Sequence, residues 1–117
     1  MSLNDIITML NSIKIDEDTP VPHTYRAFPV GNAPGTPFIC YLLDSVRPES
    51  ADNVGIPITT LSIELYTDSK DFALEAKVEA VLDSNEMVWT KEESWIESER
   101  MQMTSYEMEV YINGYTE

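Results

Sequence analysis

The sequence contains one histidine and one cysteine, the residue types that most often carry nucleophilic chemistry. His23 is flanked by Pro22 and Thr24, and Cys40 lies inside the apolar run Phe38–Leu43. The two could form a Cys–His pair if their strands were neighbours, since an imidazole beside a thiol produces a nucleophile. The surrounding residues instead favour a surface or strand histidine and a buried, inert thiol. We therefore predict no catalytic residue.

The acidic residues raise the possibility of metal binding or acid–base chemistry. Asp16-Glu17-Asp18 could coordinate a hard cation such as Ca²⁺, but the run lacks the D-x-[DN]-x-[DN]-G loop with its distant Glu. One histidine and one cysteine are too few for the usual zinc site. Gly31–Gly35 has no following Lys-Ser/Thr and is not a phosphate-binding loop. Carboxylate pairs for glycoside chemistry remain open, but 21 acids make any chosen pair uninformative. We predict a solvated turn, no metal, no cofactor and no enzyme.

Net charge and composition limit the class of protein. The chain has 117 residues, 21 acidic and 7 basic, with a net charge of −14. Hydrophobic residues make up 43%, near the globular average of ~45–50%, so the acidity does not indicate disorder. Such a surface repels nucleic acid and anionic membranes. Residues 1–10 lack a signal peptide's basic region, and no apolar run approaches the ~20 residues that span a bilayer. We expect a single intracellular domain, residues 1–117, with no membrane partner.

The sequence predicts two helices, each with a capping residue and an apolar stripe. Ser2 and Asp5 form a capping-box pattern ahead of an apolar stripe at helical spacing: Leu3, Ile6, Ile7 and Leu10. Asp68 is the expected cap of the second helix, whose buried stripe is Leu74, Val78, Val81 and Leu82. We expect Glu75 and Glu79 on its outer side, with Lys77 as an isolated counter-charge.

Alternation and apolar runs predict about five strands. The predicted strands are His23–Phe28, Phe38–Leu43, Ile58–Thr67, one beginning at Met87–Trp89, and Trp95–Ile112 bent near 102–105. Loops are expected at Pro29–Pro37 and Asp44–Pro57, and a turn at Lys91–Ser94. This order predicts an α+β fold: an antiparallel or mixed sheet of about five strands, covered on one face by two helices.

Tryptophan, tyrosine and methionine are concentrated near the end of the chain, in residues 89–115. Alternate positions on two neighbouring strands cannot all face one core. We therefore predict that part of this set forms a subunit or partner interface, because methionine and aromatic residues mark contact surfaces. The candidate interface residues are Trp95, Met101, Met103 and Tyr111.

The order of elements and their residue types resembles a family of small phage proteins. The resemblance rests on Glu64-Leu65-Tyr66-Thr67 before Asp68-Ser69-Lys70-Asp71, and on Glu97-Ser98-Glu99-Arg100-Met101 followed by Thr104, Tyr106 and Glu107. It is similar to the tail terminator, or tail-completion, proteins of siphophages and Gram-positive prophages, which are also called minor capsid or neck proteins. The similarity covers about two-thirds of the chain.

The resemblance implies a structural role in the virion neck, reached from the host cytoplasm during assembly. It implies a homo-oligomeric ring, typically a hexamer, that ends tail-tube polymerisation and contacts the tail tube protein and the head–tail connector protein. DNA would pass through without specific binding, since a carboxylate-lined channel repels phosphate. Like charges side by side in a ring predict that salt favours assembly.

Two other interpretations remain open. A structural adaptor of the head–tail connector has the same sequence features as a terminator. An acidic DNA mimic that inhibits a nucleic-acid-binding enzyme also fits the size and charge, with the helical row Glu75, Glu79 and Asp83 contributing to a phosphate-like array.

Overall fold

A five-stranded sheet and two helices form the α+β fold that the sequence predicts. The structure, a computed structural model, describes residues 2–28, 34–44 and 58–111. Its elements are α1 (Leu3–Asn11), β1 (His23–Tyr25), β2 (Phe38–Leu43), β3 (Ile58–Thr67), α2 (Phe72–Ser84), β4 (Trp89–Ile96) and β5 (Met101–Tyr111). Residues 45–57 of the loop predicted at Asp44–Pro57, residues 29–33 of the loop predicted at Pro29–Pro37, and Ile112 lie outside the described residues.

The sheet is mixed, with strand order β1-β2-β3-β5-β4. β1 and β2 run parallel, and the other three pairings are antiparallel. Since β3 and β4 each pair antiparallel with β5, they run parallel to each other on either side of it. α2 connects β3 to β4.

Both helices pack on one face of the sheet, as predicted, and form a single core with it. Strand residues share a face when they are paired across the ladder, which assigns one face to the core. It is lined by Ile39, Tyr41, Leu61, Ile63, Leu65, Tyr106, Met108 and Val110, and the helices contribute Ile6, Met9, Leu10, Leu74, Val78 and Leu82. Full burial of each such side chain contributes about 1.5–3 kcal/mol. We call this side the inner face and the opposite side the outer face.

The first helix begins where its capping pattern predicts. Ser2 Oγ accepts a hydrogen bond from the Asp5 backbone N–H at 3.2 Å, and the Asp5 carboxylate accepts one from the Ser2 backbone N–H at 2.8 Å. This reciprocal pair satisfies two donors that the helix cannot satisfy itself.

The prediction that Asp68 caps the second helix is wrong. Asp71 is the N-cap, and its Oδ1 accepts the Leu74 N–H at 3.0 Å. Asp68 instead accepts a hydrogen bond from the Thr36 hydroxyl. The helix begins three residues later than expected, because Asp71 accepts a backbone N–H of its first turn while the Asp68 carboxylate is hydrogen-bonded to Thr36.

Three predicted strand boundaries are also corrected. β1 ends at Tyr25 rather than Phe28, because Arg26 has a left-handed φ of 71°. Residues 91–94 are not a turn: β4 runs through them, and the turn between β4 and β5 occupies 97–100. β5 has no break near 102–105, where every residue has a partner on β3.

Candidate interaction surface

A buried carboxylate lies between α2 and the inner face of the sheet. The Glu75 side chain is 2% exposed and accepts hydrogen bonds from Lys70 Nζ at 2.8 Å and Thr104 Oγ1 at 3.2 Å. Lys91 Nζ lies 2.9 Å from the same Glu75 oxygen that Lys70 contacts. Two ammonium groups and a hydroxyl therefore compensate the loss of water around this carboxylate, as a buried charge requires.

Two further carboxylates extend this cluster along the sheet. Lys91 Nζ lies 2.7 Å from a Glu79 oxygen that also accepts the Tyr106 hydroxyl at 2.8 Å. Lys70 Nζ lies 2.9 Å from Glu93. We call the five charged residues Lys70, Glu75, Glu79, Lys91 and Glu93 the lysine–carboxylate network.

The network holds Glu75, Lys70 and Lys91 in the charged state. Burial alone raises the pKa of Glu75, but the hydrogen bonds from Lys70 and Lys91 outweigh it and leave this pKa below its usual value. Hydrogen bonds to Glu75 and Glu93 raise the pKa of Lys70, and those to Glu79 and Glu75 raise the pKa of Lys91. These three groups remain ionised at neutral pH, which suits a structural ion cluster rather than proton transfer.

The network corrects the expected positions of Glu75 and Glu79, which were both placed on the outer side of α2: Glu75 is buried, and Glu79 contacts Lys91 and Tyr106 on the inner face of the sheet. Glu75, Val78 and Leu82 follow one another at i, i+3 and i+7, a spacing that puts Glu75 at the border of the apolar stripe. Lys77 is not a counter-charge to that row. Its Nζ donates to the carbonyl of Ile15 at 2.9 Å and approaches that of Lys14 at 3.4 Å, just after α1.

His23 and Cys40 do not form the Cys–His pair that neighbouring strands would permit. β1 and β2 do pair, but His23 is paired with Ile39 and Cys40 with Thr24, so the two side chains lie on opposite faces of the sheet. His23 Nε2 is 2.8 Å from Asn11 Oδ1. Cys40 is buried, and burial raises the pKa of its thiol, which leaves the thiol in its unreactive form.

The acidic run at Asp16 forms a turn. Asp16 Oδ1 accepts the backbone N–H groups of Asp18 and Thr19, both at 3.0 Å, an arrangement typical of Asp in turns. Within residues 2–28, 34–44 and 58–111, no group of three or more His, Cys, Asp or Glu side chains is arranged to hold a metal ion.

The outer face has an apolar end formed by side chains from three strands. Phe38, Tyr66 and Met103 form a row across β2, β3 and β5. Phe38 stacks on Tyr66 with ring centroids 4.9 Å apart, and Phe28 meets Phe38 edge-on at 5.5 Å. Met101, next to this row, and Met103 are both half-buried. Neither described helix covers this row, since both pack on the inner face.

The rest of the outer face is acidic. Among the described strand residues, every charged side chain on this face is a glutamate: Glu64, Glu92, Glu107 and Glu109. The lysines of the network lie on the inner face and cannot offset this charge locally. The outer face thus combines an apolar end with an anionic end.

Three of the four candidate interface residues lie on the outer face. Strand alternation places Met101, Met103 and Tyr111 there, and Tyr111 is 59% exposed. Trp95 lies on the inner side of the edge strand β4, in alternation with Lys91 and Glu93. Its indole is 48% exposed, with Nε1 donating to Glu97 at 3.0 Å. The structure thus brings three of these residues to one surface, and their role in an interface stays a prediction.

β4 leaves one edge of the sheet open within the described part of the chain. It pairs with β5 on one side and with no other described strand. An open edge offers backbone donors and acceptors to a neighbouring protein. No helix in the described ranges is both long and apolar enough to cross a membrane.

Comparison with models of known protein families and with curated proteins gives no match.

Proposed function

We propose that this chain is a structural subunit of the phage or prophage head–tail neck, a tail terminator that assembles into a ring. The ring ends tail-tube polymerisation and docks to the head connector, in the virion after assembly in the host cytoplasm. The phage assignment comes from the family resemblance of the sequence. The outer face of the sheet, which neither described helix covers, is the observation that supports an interaction role.

The outer face has the composition of a contact surface. Its apolar end presents Phe38, Tyr66 and Met103 with no described helix packed over them. Within the described residues these side chains are half-buried, and apolar and aromatic surface that remains partly exposed commonly marks an interface. A ring subunit needs such surfaces for its neighbours.

The edge strand β4 favours a ring contact over a two-fold contact. Antiparallel pairing of two β4 strands about Glu92 or Glu93, the residues at their centre, would place that glutamate opposite the same glutamate of the second copy. Directly opposed like charges destabilise a strand pair. Contact between β4 and a different surface of the next copy avoids this repulsion, and such head-to-tail contacts form a ring when the rotation from copy to copy closes.

The acidity of the chain suits a subunit through which DNA passes. With a net charge of −14, carboxylates that face a channel would repel phosphates and could not gain affinity from counterion release. DNA could then pass without being held.

The alternative, a DNA mimic, is less well supported because its proposed carboxylate row is occupied within the molecule. Glu75 is buried against two lysines, and Glu79 binds Lys91. Asp83 accepts the indole N–H of Trp89 at 2.9 Å. This row is therefore not free to imitate a line of phosphates.

Light scattering and negative-stain electron microscopy of the purified full chain test the proposal. We expect rings with a central channel. Met101→Glu combined with Met103→Glu should abolish them, because two charges would enter the apolar end of the outer face. Ala76→Glu with Ala80→Glu adds the same charges at exposed positions of α2 and should leave the rings intact.

Circular dichroism of each variant checks that the fold is retained. A chain that stays monomeric at its highest soluble concentration, in low and in moderate salt, would contradict the ring. If that monomer also blocked a nuclease, the DNA mimic would be the better interpretation.

A further inference from the structure

Two exposed apolar side chains border a groove at the acidic end of the outer face. Val88, just before β4, is 89% exposed, and Tyr111 at the end of β5 is 59% exposed. With Thr60, Thr90, Glu107, Met108 and Glu109 they line a shallow depression of about 490 Å³. A neighbouring depression of about 310 Å³ shares Val88, Glu109 and Tyr111 and adds Glu86. We call the two together the Val88–Tyr111 groove.

The charges around this groove have one sign. Glu86, Glu107 and Glu109 line it, and no lysine or arginine does within the described residues. None of these three glutamates forms an ion pair with a described residue; the carboxylates that do so include those of the lysine–carboxylate network on the inner face. The groove therefore combines exposed apolar side chains, those of Val88 and Tyr111, with an anionic lining.

We propose that the Val88–Tyr111 groove docks a cationic, arginine-containing segment of a partner protein. The aliphatic stem of an arginine would lie against Val88, its guanidinium would pack on the Tyr111 ring, and Glu107 and Glu109 would accept its N–H groups. Arginine fits better than lysine because its planar cation both stacks on an aromatic ring and binds carboxylates through several donors.

Charge complementarity selects this occupant over others. A nucleic acid would bring phosphates to three glutamates, and a second copy meeting the groove with its own outer face would bring more glutamates. The inference rests on the proposed function, for which it names the chemistry of one docking partner. It concerns a surface at the opposite end of the outer face from the methionines tested for ring assembly.

The test uses the full chain labelled for amide NMR and a short synthetic peptide that alternates arginine with leucine. We expect chemical-shift changes confined to the neighbourhood of Val88, Glu107, Glu109 and Tyr111. Replacement of arginine by lysine in the peptide should weaken binding several-fold, and replacement by glutamate should abolish it. Binding should weaken as salt rises, because the contact is between opposite charges.

Two variants test the groove directly. Glu107→Gln with Glu109→Gln, and separately Tyr111→Ala, should each weaken peptide binding roughly tenfold, the loss expected when a central contact of an interface is removed. Glu97→Gln with Glu99→Gln removes the same charge from the exposed β4–β5 turn and should leave the affinity unchanged.

Shift changes spread over all acidic surfaces, or equal affinity of wild type and the groove variants, would overturn the inference. So would shift changes at the groove that depend on the concentration of the chain rather than of the peptide, since a second copy would then be the occupant. Rings without peptide binding would refute this inference and leave the proposed function standing. Peptide binding by a chain that stays monomeric would support this inference and contradict the proposed ring.

Discussion

Glu75 is the central residue of the lysine–carboxylate network, because both of its lysines contact this one carboxylate. Its carboxylate is almost completely buried, yet it receives two ammonium groups and the Thr104 hydroxyl. Lys70 and Lys91 are partly exposed, so each keeps some contact with water while neutralising the buried charge. Removing one member of such a cluster is costly because the remaining charges keep their desolvation without their partner.

Glu75→Gln should lower the free energy of unfolding at neutral pH by about 2 kcal/mol and flatten its decline in acid. The pKa of Glu75 is lower in the folded chain than the ordinary value of 4.5. A carboxylate with a depressed folded pKa contributes stability above its unfolded pKa and loses that contribution as pH falls through the folded pKa. Wild type should therefore lose more stability than the variant as the pH falls below about 4.5.

Urea unfolding of both chains from about pH 6 to about pH 3 measures this difference. Glu99→Gln is the matched control, since Glu99 is exposed in the β4–β5 turn and should change stability by less than about 0.5 kcal/mol. Parallel pH profiles for wild type and Glu75→Gln would mean that the carboxylate contributes nothing through its ionisation.

At the scale of elements, α2 illustrates why a sequence can predict a helix but not its first residue. Asp68 and Asp71 are both good capping residues, and both precede the apolar stripe that begins at Leu74. The contact between Asp68 and Thr36 crosses from a separate loop, and no local pattern reveals it. Tertiary structure decides between two sites that are locally equivalent.

Asp71→Ala should therefore destabilise the protein by about 1 kcal/mol, the usual cost of losing an N-cap. Asp68→Ala should cost less than about 0.5 kcal/mol, because it removes only an exposed side-chain contact. Thermal and urea unfolding of the two variants under the same conditions make the comparison. An equal or larger loss of stability for Asp68→Ala would contradict the assignment of Asp71 as the N-cap of α2.

The strands divide in the same way between what local pattern predicts and what it does not. β3 and the buried positions of β5 were predictable, because apolar residues alternate with polar ones through both. β4 was not, because Lys91, Glu92, Glu93 and Ser94 read as a solvated turn. They form a strand in which Lys91 and Glu93 point to the inner face. There Lys91 pairs with Glu75 and Glu79, and Glu93 pairs with Lys70. The lysine–carboxylate network joins side chains that are far apart in the sequence, so no local pattern predicts it.

At the scale of the whole molecule, the two faces of the sheet differ in whether their carboxylates have lysine partners. On the inner face the acids of the network are offset by Lys70 and Lys91, at short distances and with partial burial. On the outer face the strands carry glutamates alone. Part of the net charge of −14 therefore lies on the outer face, where no described lysine or arginine of the strands offsets it. In the two proposals above, repulsion between copies and attraction of a cationic partner would both come from these outer-face glutamates.

Salt should consequently act on self-assembly and on partner binding in opposite directions. Raising NaCl from about 10 mM to about 150 mM shortens the Debye length from about 30 Å to about 8 Å, which screens repulsion between neighbouring acidic subunits. Light scattering of the full chain should then report a higher mean mass at the higher salt. Glu92→Gln, Glu107→Gln and Glu109→Gln combined should assemble already at low salt, because they remove outer-face charge. A mean mass that falls over the same range would mean that attraction between opposite charges, rather than contact of apolar surfaces, holds the subunits together.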